Sequence, residues 1–515
     1  MTKVAVATTS QLAADGAKEV ALRGGNAVDC ALAAALFTMN TEPGVCALAG
    51  SAFITIWGPD KQPVTIDGNV AVPGSGLGEI DSVARSEAAP AVTLGYGGGI
   101  TTLAGSGSVA VPGSLAAIER AWKEYGNARW DDLFAPVIKA AREGFPLSAA
   151  CHYYLGYSGE PIFSRSEDGF FALHHADRSL VDAGSLIVVP HLADTLTAIA
   201  DDGARLFYEG ELGASLCKHV QDGGGSLTMR DLKDFEAVER PSLTVDIGTW
   251  TIATNPPPAI GGAVLAAMLI ACADLPHEKW TTAALERLIN VQRAALDYRK
   301  QRLDLAEDVG AEAATLLAAA RSGQLLNAWT SASTVHTSAV DDNGIACAVT
   351  ASSGYGSGEM PAGTGLWLNN CLGELELNRR GLAAGPPGAR LPSNMAPSIA
   401  RRKGRVLAVG SPGADRITTA LHQFLVNLLQ MDMSLDDAIA EPRVHVDTSG
   451  AAERLMAEAG HDLPHMDIPV KVSPELNMYF GGIGATLVDR KNGFQVASDP
   501  RREGGTVICD GGSRT

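Results

Sequence analysis

Thr334 opens a run, Thr334-Val-His-Thr-Ser-Ala-Val-Asp341, in which small hydroxyls are interleaved with apolar residues. Taken alone, the run reads as an edge strand with a Thr/Ser stripe. A second strand-like run, Gly344-Ile-Ala-Cys-Ala-Val-Thr-Ala-Ser352, follows the turn residues Asp342-Asn343-Gly344. Asn-Gly between alternating runs is a strong hairpin signal, so Ser352 is expected across the hairpin from Thr334. Downstream stand Gly365-Leu-Trp-Leu-Asn-Asn370, a further short run, then Pro392-Ser-Asn-Met395 and Gly410-Ser-Pro-Gly-Ala414. The last is a tight turn rich in backbone N–H groups, of the kind that can hold an oxyanion. Two facing hydroxyls and an oxyanion turn are the parts of a nucleophilic acyl transfer.

These parts must be held by helices and sheets, and the chain supplies both. Gln11–Arg23 has helical apolar spacing and ends at Gly24-Gly25; Asn26 can cap a second helix over Ala27–Met39. Ala52–Trp57 is a strand candidate, and residues 115–143 read as helix in two pieces. Residues 84–108 are Gly-, Ser- and Thr-rich and loop-like. Asn255-Pro-Pro-Pro258 breaks the chain before an apolar helix at 263–273, and a charged helix follows. Val309–Ser333 is rich in Ala and Ser and carries little pattern. A second hairpin is expected at 483–499 around Asn492-Gly493. Helices in the first two thirds and hairpins in the last third indicate an α+β arrangement.

Other chemistries find little support. The formal net charge is −18, with 40 Lys+Arg against 58 Asp+Glu, which argues against a nucleic-acid partner. A hydrophobic content of 46% supplies ample core material. There is no P-loop pattern and no Gly-x-Ser-x-Gly elbow, and Gly95–Gly99 reads as a flexible loop. His174-His175-Ala-Asp177 reads as a surface loop, since adjacent side chains diverge. The eight cysteines contain no Cys-x-x-Cys, so no metal site is expected, and their apolar surroundings suggest buried thiols. The opening residues show no apolar signal core, and the longest apolar stretch, Gly261–Ala273, is too short to span a bilayer. The expectation from these features is a cytoplasmic protein with no cofactor and no membrane partner.

Many separate motifs, in order, resemble the γ-glutamyltranspeptidase family of N-terminal-nucleophile hydrolases. They include Leu22-Arg-Gly-Gly-Asn-Ala-Val-Asp29 with the following Ala-rich stretch, Val109-Ala-Val-Pro-Gly-Ser114 and Ala140-Ala-Arg-Glu-Gly-Phe145. Pro256-Pro-Pro258 with Gly261-Gly262, Tyr298-Arg299 and Ala497-Ser-Asp-Pro-Arg501 also have counterparts. The resemblance implies a four-layer αββα sandwich and a proenzyme that cuts itself between Ser333 and Thr334, with a small-molecule amide substrate and water or an amine as acceptor. Residues 1–333 would form a large subunit and 334–515 a small one, the two staying associated as one interwoven domain. Thr334 would be the nucleophile, Ser352 its partner hydroxyl where the family normally has Thr, and Gly413 with Ala414 the oxyanion pair. Ala414 stands where the family has a second Gly.

The substrate clamp departs from the family pattern. Ser86 occupies the position of a carboxylate-gripping Arg, with Arg85 displaced by one. Gly354 replaces an Asn. Asn369-Asn370-Cys-Leu-Gly-Glu374 puts Glu374 at the amine-binding Asp, with Asn370 also in that substrate segment, and Ser393-Asn394 replaces a Ser pair. Three readings follow: a γ-glutamyl transferase/hydrolase with a rearranged clamp, an amidohydrolase for another small amide such as oxamate, or an unprocessed, non-catalytic binding relative.

Overall fold

A computed structural model of the protein describes residues 2–78, 82–95, 99–275, 279–323, 334–413, 416–447 and 453–510. Ser333 and Ala414, the residue before the expected cut and the second oxyanion residue, lie outside them.

Both expected hairpins form. Val335–Asp341 pairs antiparallel with Ala346–Ser352, and Gly484–Asp489 with Gly493–Ser498. At the first turn the Asp341 carbonyl accepts the Gly344 N–H, and its carboxylate accepts those of Ile345 and Ala27. In chain order the strands of the two large sheets are β1 (Val4–Thr8), β2 (Ser51–Trp57), β3 (Val64–Gly68), β4 (Val238–Pro241), β5 (Leu243–Ile247), β6 (Trp250–Thr254), β7 (Val335–Asp341), β8 (Ala346–Ser352), β9 (Ser398–Arg402), β10 (Arg405–Gly410), β11 (Gly484–Asp489), β12 (Gly493–Ser498) and β13 (Gly505–Cys509). A seven-stranded sheet runs β13-β1-β7-β8-β2-β3-β4, and a six-stranded sheet runs β12-β11-β10-β9-β6-β5.

The two sheets pack face to face, with β7 and β8 against β10 and β11. On the outer face of the first sheet lie α1 (Gln11–Leu22), α2 (Ala27–Thr41), α3 (Ser114–Tyr125) and α4 (Trp130–Glu143). Beyond the second lie α5 (Gly261–Ala271), α6 (Thr282–Gln301), α7 (Val309–Arg321) and α8 (Arg416–Leu425). This is the expected αββα sandwich. Its inner helices follow from their composition. Every residue of α2 is buried, and apolar residues occur on all of its faces, as expected of a helix covered on all sides. Asn26 caps it as expected, its side chain accepting the Val28 and Asp29 N–H groups while Asp29 returns a bond to the Asn26 N–H.

Three local expectations are corrected. Val309–Arg321 is a helix, capped by Asp308, where the sequence showed little pattern. The Gly365–Asn370 run forms no strand, only a single bridge from Leu368 to Ala49. His174 is buried, its ring stacked on Phe170 at 3.8 Å, while His175 and Asp177 beside it are exposed. The eight cysteines are all buried and unpaired.

Candidate active site

Val335 faces Ala351 across the β7–β8 hairpin, so Thr334 comes to lie opposite Ser352. Both line a small cavity of about 20 Å³ at the end of the sandwich, together with Glu374, Ser393 and Asn394. That volume holds roughly one water. Ser51, Asn69, Val70, Cys371, Leu377, Pro392, Met395 and Ile417 complete the wall. Residues from β2, the β3 exit, the β7–β8 hairpin, the 371–377 segment, the 392–395 segment and α8 thus meet at one point.

Each segment is fixed by its own bonds. Ser352 Oγ accepts the Gly354 N–H at 3.2 Å, while its carbonyl accepts the Ser51 hydroxyl at 2.9 Å. The Ser393 carbonyl accepts both the Ile260 and Gly261 N–H groups at 3.0 Å, tying the site to the start of α5. Asn255 Nδ2 donates to the Met395 carbonyl at 2.7 Å. The Pro-Pro-Pro-x-x-Gly-Gly segment therefore serves as the seat of Ser393-Asn394.

β10 ends in the Ser411–Gly413 turn, which leads into α8, whose Ile417 borders the cavity. Gly413 has φ +117°, and a methyl there would stand 2.7 Å from the Gly481 Cα, so the turn requires glycine. The turn is braced from behind: Arg443 donates to the Phe480 carbonyl and pairs with Asp499, which accepts the Ile483 N–H at 2.8 Å. Arg501 pairs with both Asp499 and Glu458 in the same buried cluster. A helix N-terminus beside the cavity adds positive potential for a developing oxyanion.

Glu374 is 4% exposed, and burial, with Glu376 nearby, pushes its carboxyl up to about 8. No Lys, Arg or His is among the described residues of the wall.

Three residues expected in the clamp are not brought to the cavity wall. Asn370 is buried in the scaffold: Nδ2 donates to Thr102 Oγ1 and the Leu103 carbonyl, and Oδ1 accepts the Tyr355 N–H. Ser86 is exposed on the helix Ser82–Glu87. Arg85, on the same helix, is 8% exposed, and its Nε and Nη2 have no hydrogen-bond partner among the described residues. Those two nitrogens form the side-on fork that grips a carboxylate. Sequence reasoning missed Ser51, Asn69, Cys371 and Ile417, whose place in the wall follows only from the packing.

A family model described as gamma-glutamyltranspeptidase matches residues 13–509. The glutathione hydrolase proenzyme of Pseudomonas aeruginosa is 28% identical over 98% of this chain and 94% of its own. That of Escherichia coli is 26% identical over 85% and 79%. Among solved structures, cephalosporin acylase from Bacillus halodurans superposes with a TM-score of 0.80 at 21% identity, covering 99% of this chain and 96% of that one. The γ-glutamyltranspeptidase of Helicobacter pylori gives 0.52 at 22% identity, covering 61% and 88%. Both likenesses are of fold.

Proposed function

The chain belongs to the γ-glutamyltranspeptidase family and is an amidohydrolase/transferase of that type, and from that premise we propose that it cuts itself before Thr334 and then cleaves a γ-glutamyl or related small amide through an acyl-enzyme. One observation carries the reading: Thr334, Ser352, Glu374, Ser393 and Asn394, drawn from distant segments, line one cavity.

In the precursor, Thr334 Oγ attacks the Ser333 carbonyl. The acyl group passes from nitrogen to oxygen, which frees the Thr334 amine, and water hydrolyses the resulting ester, releasing the Ser333 carboxylate and regenerating the Thr334 hydroxyl. That amine, with an ordinary pKa near ~8, then takes the proton of its own hydroxyl as Oγ attacks the substrate amide. Ser352 orients the hydroxyl, and the Gly413 turn, with Ala414 as its second donor, receives the oxyanion. The leaving amine departs protonated, and water or a second amine takes the acyl group from Thr334.

The two fragments would stay together, because the sheets are built from both. β1 lies between β7 and β13, β2 pairs with β8, and β6 pairs with β9. We place the enzyme in the cytoplasm as part of this proposal, where its eight unpaired cysteines would remain reduced; cell fractionation tests that placement.

A second reading, an amide lacking the α-amino-acid head, is favoured by one feature: the described cavity wall has no cation for a buried carboxylate. The deciding experiment has two parts. Intact-mass measurement should give two fragments meeting at Ser333/Thr334, and one uncut chain for Thr334→Ala. The processed enzyme is then screened on γ-glutamyl anilide, glutathione, oxamate and cephalosporin-type amides. A wild-type chain that is active yet uncut overturns the nucleophile assignment. One that is uncut and inactive on every amide returns the non-catalytic binding reading.

A further inference from the structure

His336 and Ser338 alternate along β7 and share the face turned toward the second sheet, and Thr334 immediately precedes this strand. His336 is 2% exposed. Its Nδ1 lies 2.8 Å from Thr350 Oγ1, and its Nε2 lies 2.7 Å from Ser338 Oγ. Ser338 donates its one hydroxyl proton to the Gly484 carbonyl at 3.0 Å. Ser338 Oγ therefore accepts from Nε2–H, which leaves Nδ1 to accept the Thr350 hydroxyl. One tautomer satisfies every group, and burial keeps the ring neutral.

The ring also fills a slot between the sheets. Gly410 and Gly484 are register partners on β10 and β11. A methyl at Gly410 would stand 2.3 Å from both Cε1 and Nδ1 of His336, and one at Gly484 would stand 3.5 Å from Cδ2. The imidazole thus separates the strand that carries Thr334 from the last residue of the strand that becomes the Ser411–Gly413 turn.

We propose that His336 is a positioning residue: its ring, seated on Gly410 and fixed by Thr350 and Ser338, sets the distance between the nucleophile and the oxyanion turn. The inference rests on Thr334 being the nucleophile. It concerns the attack step, which self-cleavage and turnover share, and not the substrate clamp. An error of ~1 Å in such a distance is worth up to ~10²-fold in rate.

The test uses the full chain and five variants, Thr334→Ala, Gly410→Ala, Ser338→Ala, His336→Asn and the pair Gly410→Ala/His336→Asn. Self-cleavage is timed by intact mass, kcat and KM are measured on γ-glutamyl anilide or whichever amide the screen selects, and thermal stability is recorded. Gly410→Ala, which removes no polar group, should slow self-cleavage and kcat by about tenfold or more with KM within about twofold. Shortening the ring in the pair should restore part of that loss, a coupling independent sites would not show. Ser338→Ala, the milder change, should lower kcat about threefold to tenfold at unchanged KM and stands in if Gly410→Ala does not fold. Lowered stability with wild-type kcat in Gly410→Ala and Ser338→Ala, or strictly additive losses in the pair, overturns the inference. If Thr334→Ala is still cut, the nucleophile reading has failed. If it is not, and the other variants cleave at the wild-type rate, only the positioning role has failed.

Discussion

A buried glutamic acid that is mostly protonated at neutral pH is an unusual anchor for a substrate ammonium, and that can be turned into a measurement. Glu374 is pushed up to about 8 because burial strips its water and Glu376 adds repulsion. Its ionised fraction is then ~1% at pH 6, ~10% at pH 7 and about half at pH 8. If only the carboxylate holds an α-ammonium, the apparent dissociation constant is the intrinsic one divided by that fraction. Binding should tighten roughly 50-fold from pH 6 to pH 8, about 2 kcal/mol. The assay is competitive inhibition by L-glutamate, which isolates binding from the chemistry of the Thr334 amine. Glu374→Gln should bind weakly and flatly across the same range. Stability runs the other way. With the folded pKa raised, the contribution of Glu374 is complete below its ordinary value of 4.5 and is lost as pH rises through about 8. Glu374→Gln should therefore lessen the fall in melting temperature between those limits. Inhibition that is indifferent to pH in the wild type, or a slope that survives in Glu374→Gln, would refute Glu374 as the ammonium anchor.

Ser352→Ala should slow self-cleavage and turnover by roughly 10²–10⁴, and Ser352→Thr should retain both, measured by intact mass and kcat. Arg85→Ala should abolish γ-glutamyl anilide cleavage while self-cleavage proceeds, if the Nε/Nη2 fork of Arg85 takes the substrate carboxylate; robust cleavage in the variant excludes that role. Gly413→Ala should lower kcat and self-cleavage, because its methyl meets the Gly481 Cα at 2.7 Å and the left-handed φ strains any side chain. Activity should survive exhaustive EDTA treatment and dialysis, since in the proposed mechanism Thr334 serves as both nucleophile and base; loss reversed by one particular metal would contradict this.

The parts legible in the sequence are those in which a local rule fixes the geometry. Asn343-Gly344 and Asn492-Gly493 each set a hairpin, and the first sets the register that carries Ser352 across to Thr334. Asn26 and Asp29 form the capping box expected at the head of α2. The failures have equally local causes. Val309–Arg321 is Ala-rich, with too little polar contrast to announce a helix, and is recognisable only by its Asp308 cap. Leu366-Trp367-Leu368 alternates like a strand, but Trp367 packs edge-on against Phe163 instead of joining a ladder. His174 looks like part of a polar loop because the residues that follow it, His175 to Asp177, are exposed, while stacking on Phe170 is a tertiary fact.

The same division separates the cutting machinery from the clamp. A nucleophile, its partner hydroxyl and an oxyanion turn depend mainly on backbone, on a register and a left-handed glycine, and those travel with short motifs. A clamp depends on where side chains end, which is decided by how distant segments pack. The family resemblance puts Asn370 in the substrate segment, yet its three side-chain hydrogen bonds among the described residues hold Thr102, Leu103 and Tyr355 in place. Gly354 explains part of this. A methyl there would stand 2.3 Å from Asn370 Oδ1 and 3.0 Å from the Glu374 carboxyl carbon, so the absence of a side chain lets those two groups close in. On the family resemblance, Gly354 in place of an Asn and the burial of Glu374 would then be one change, not two. A carboxyl drawn inward has its pKa raised and answers an ammonium only after losing a proton. On the proposed function, acyl-group preference would follow the depth of Glu374 beneath the 354–370 contact, while the reaction would follow from the strand and turn that hold Thr334 and Gly413.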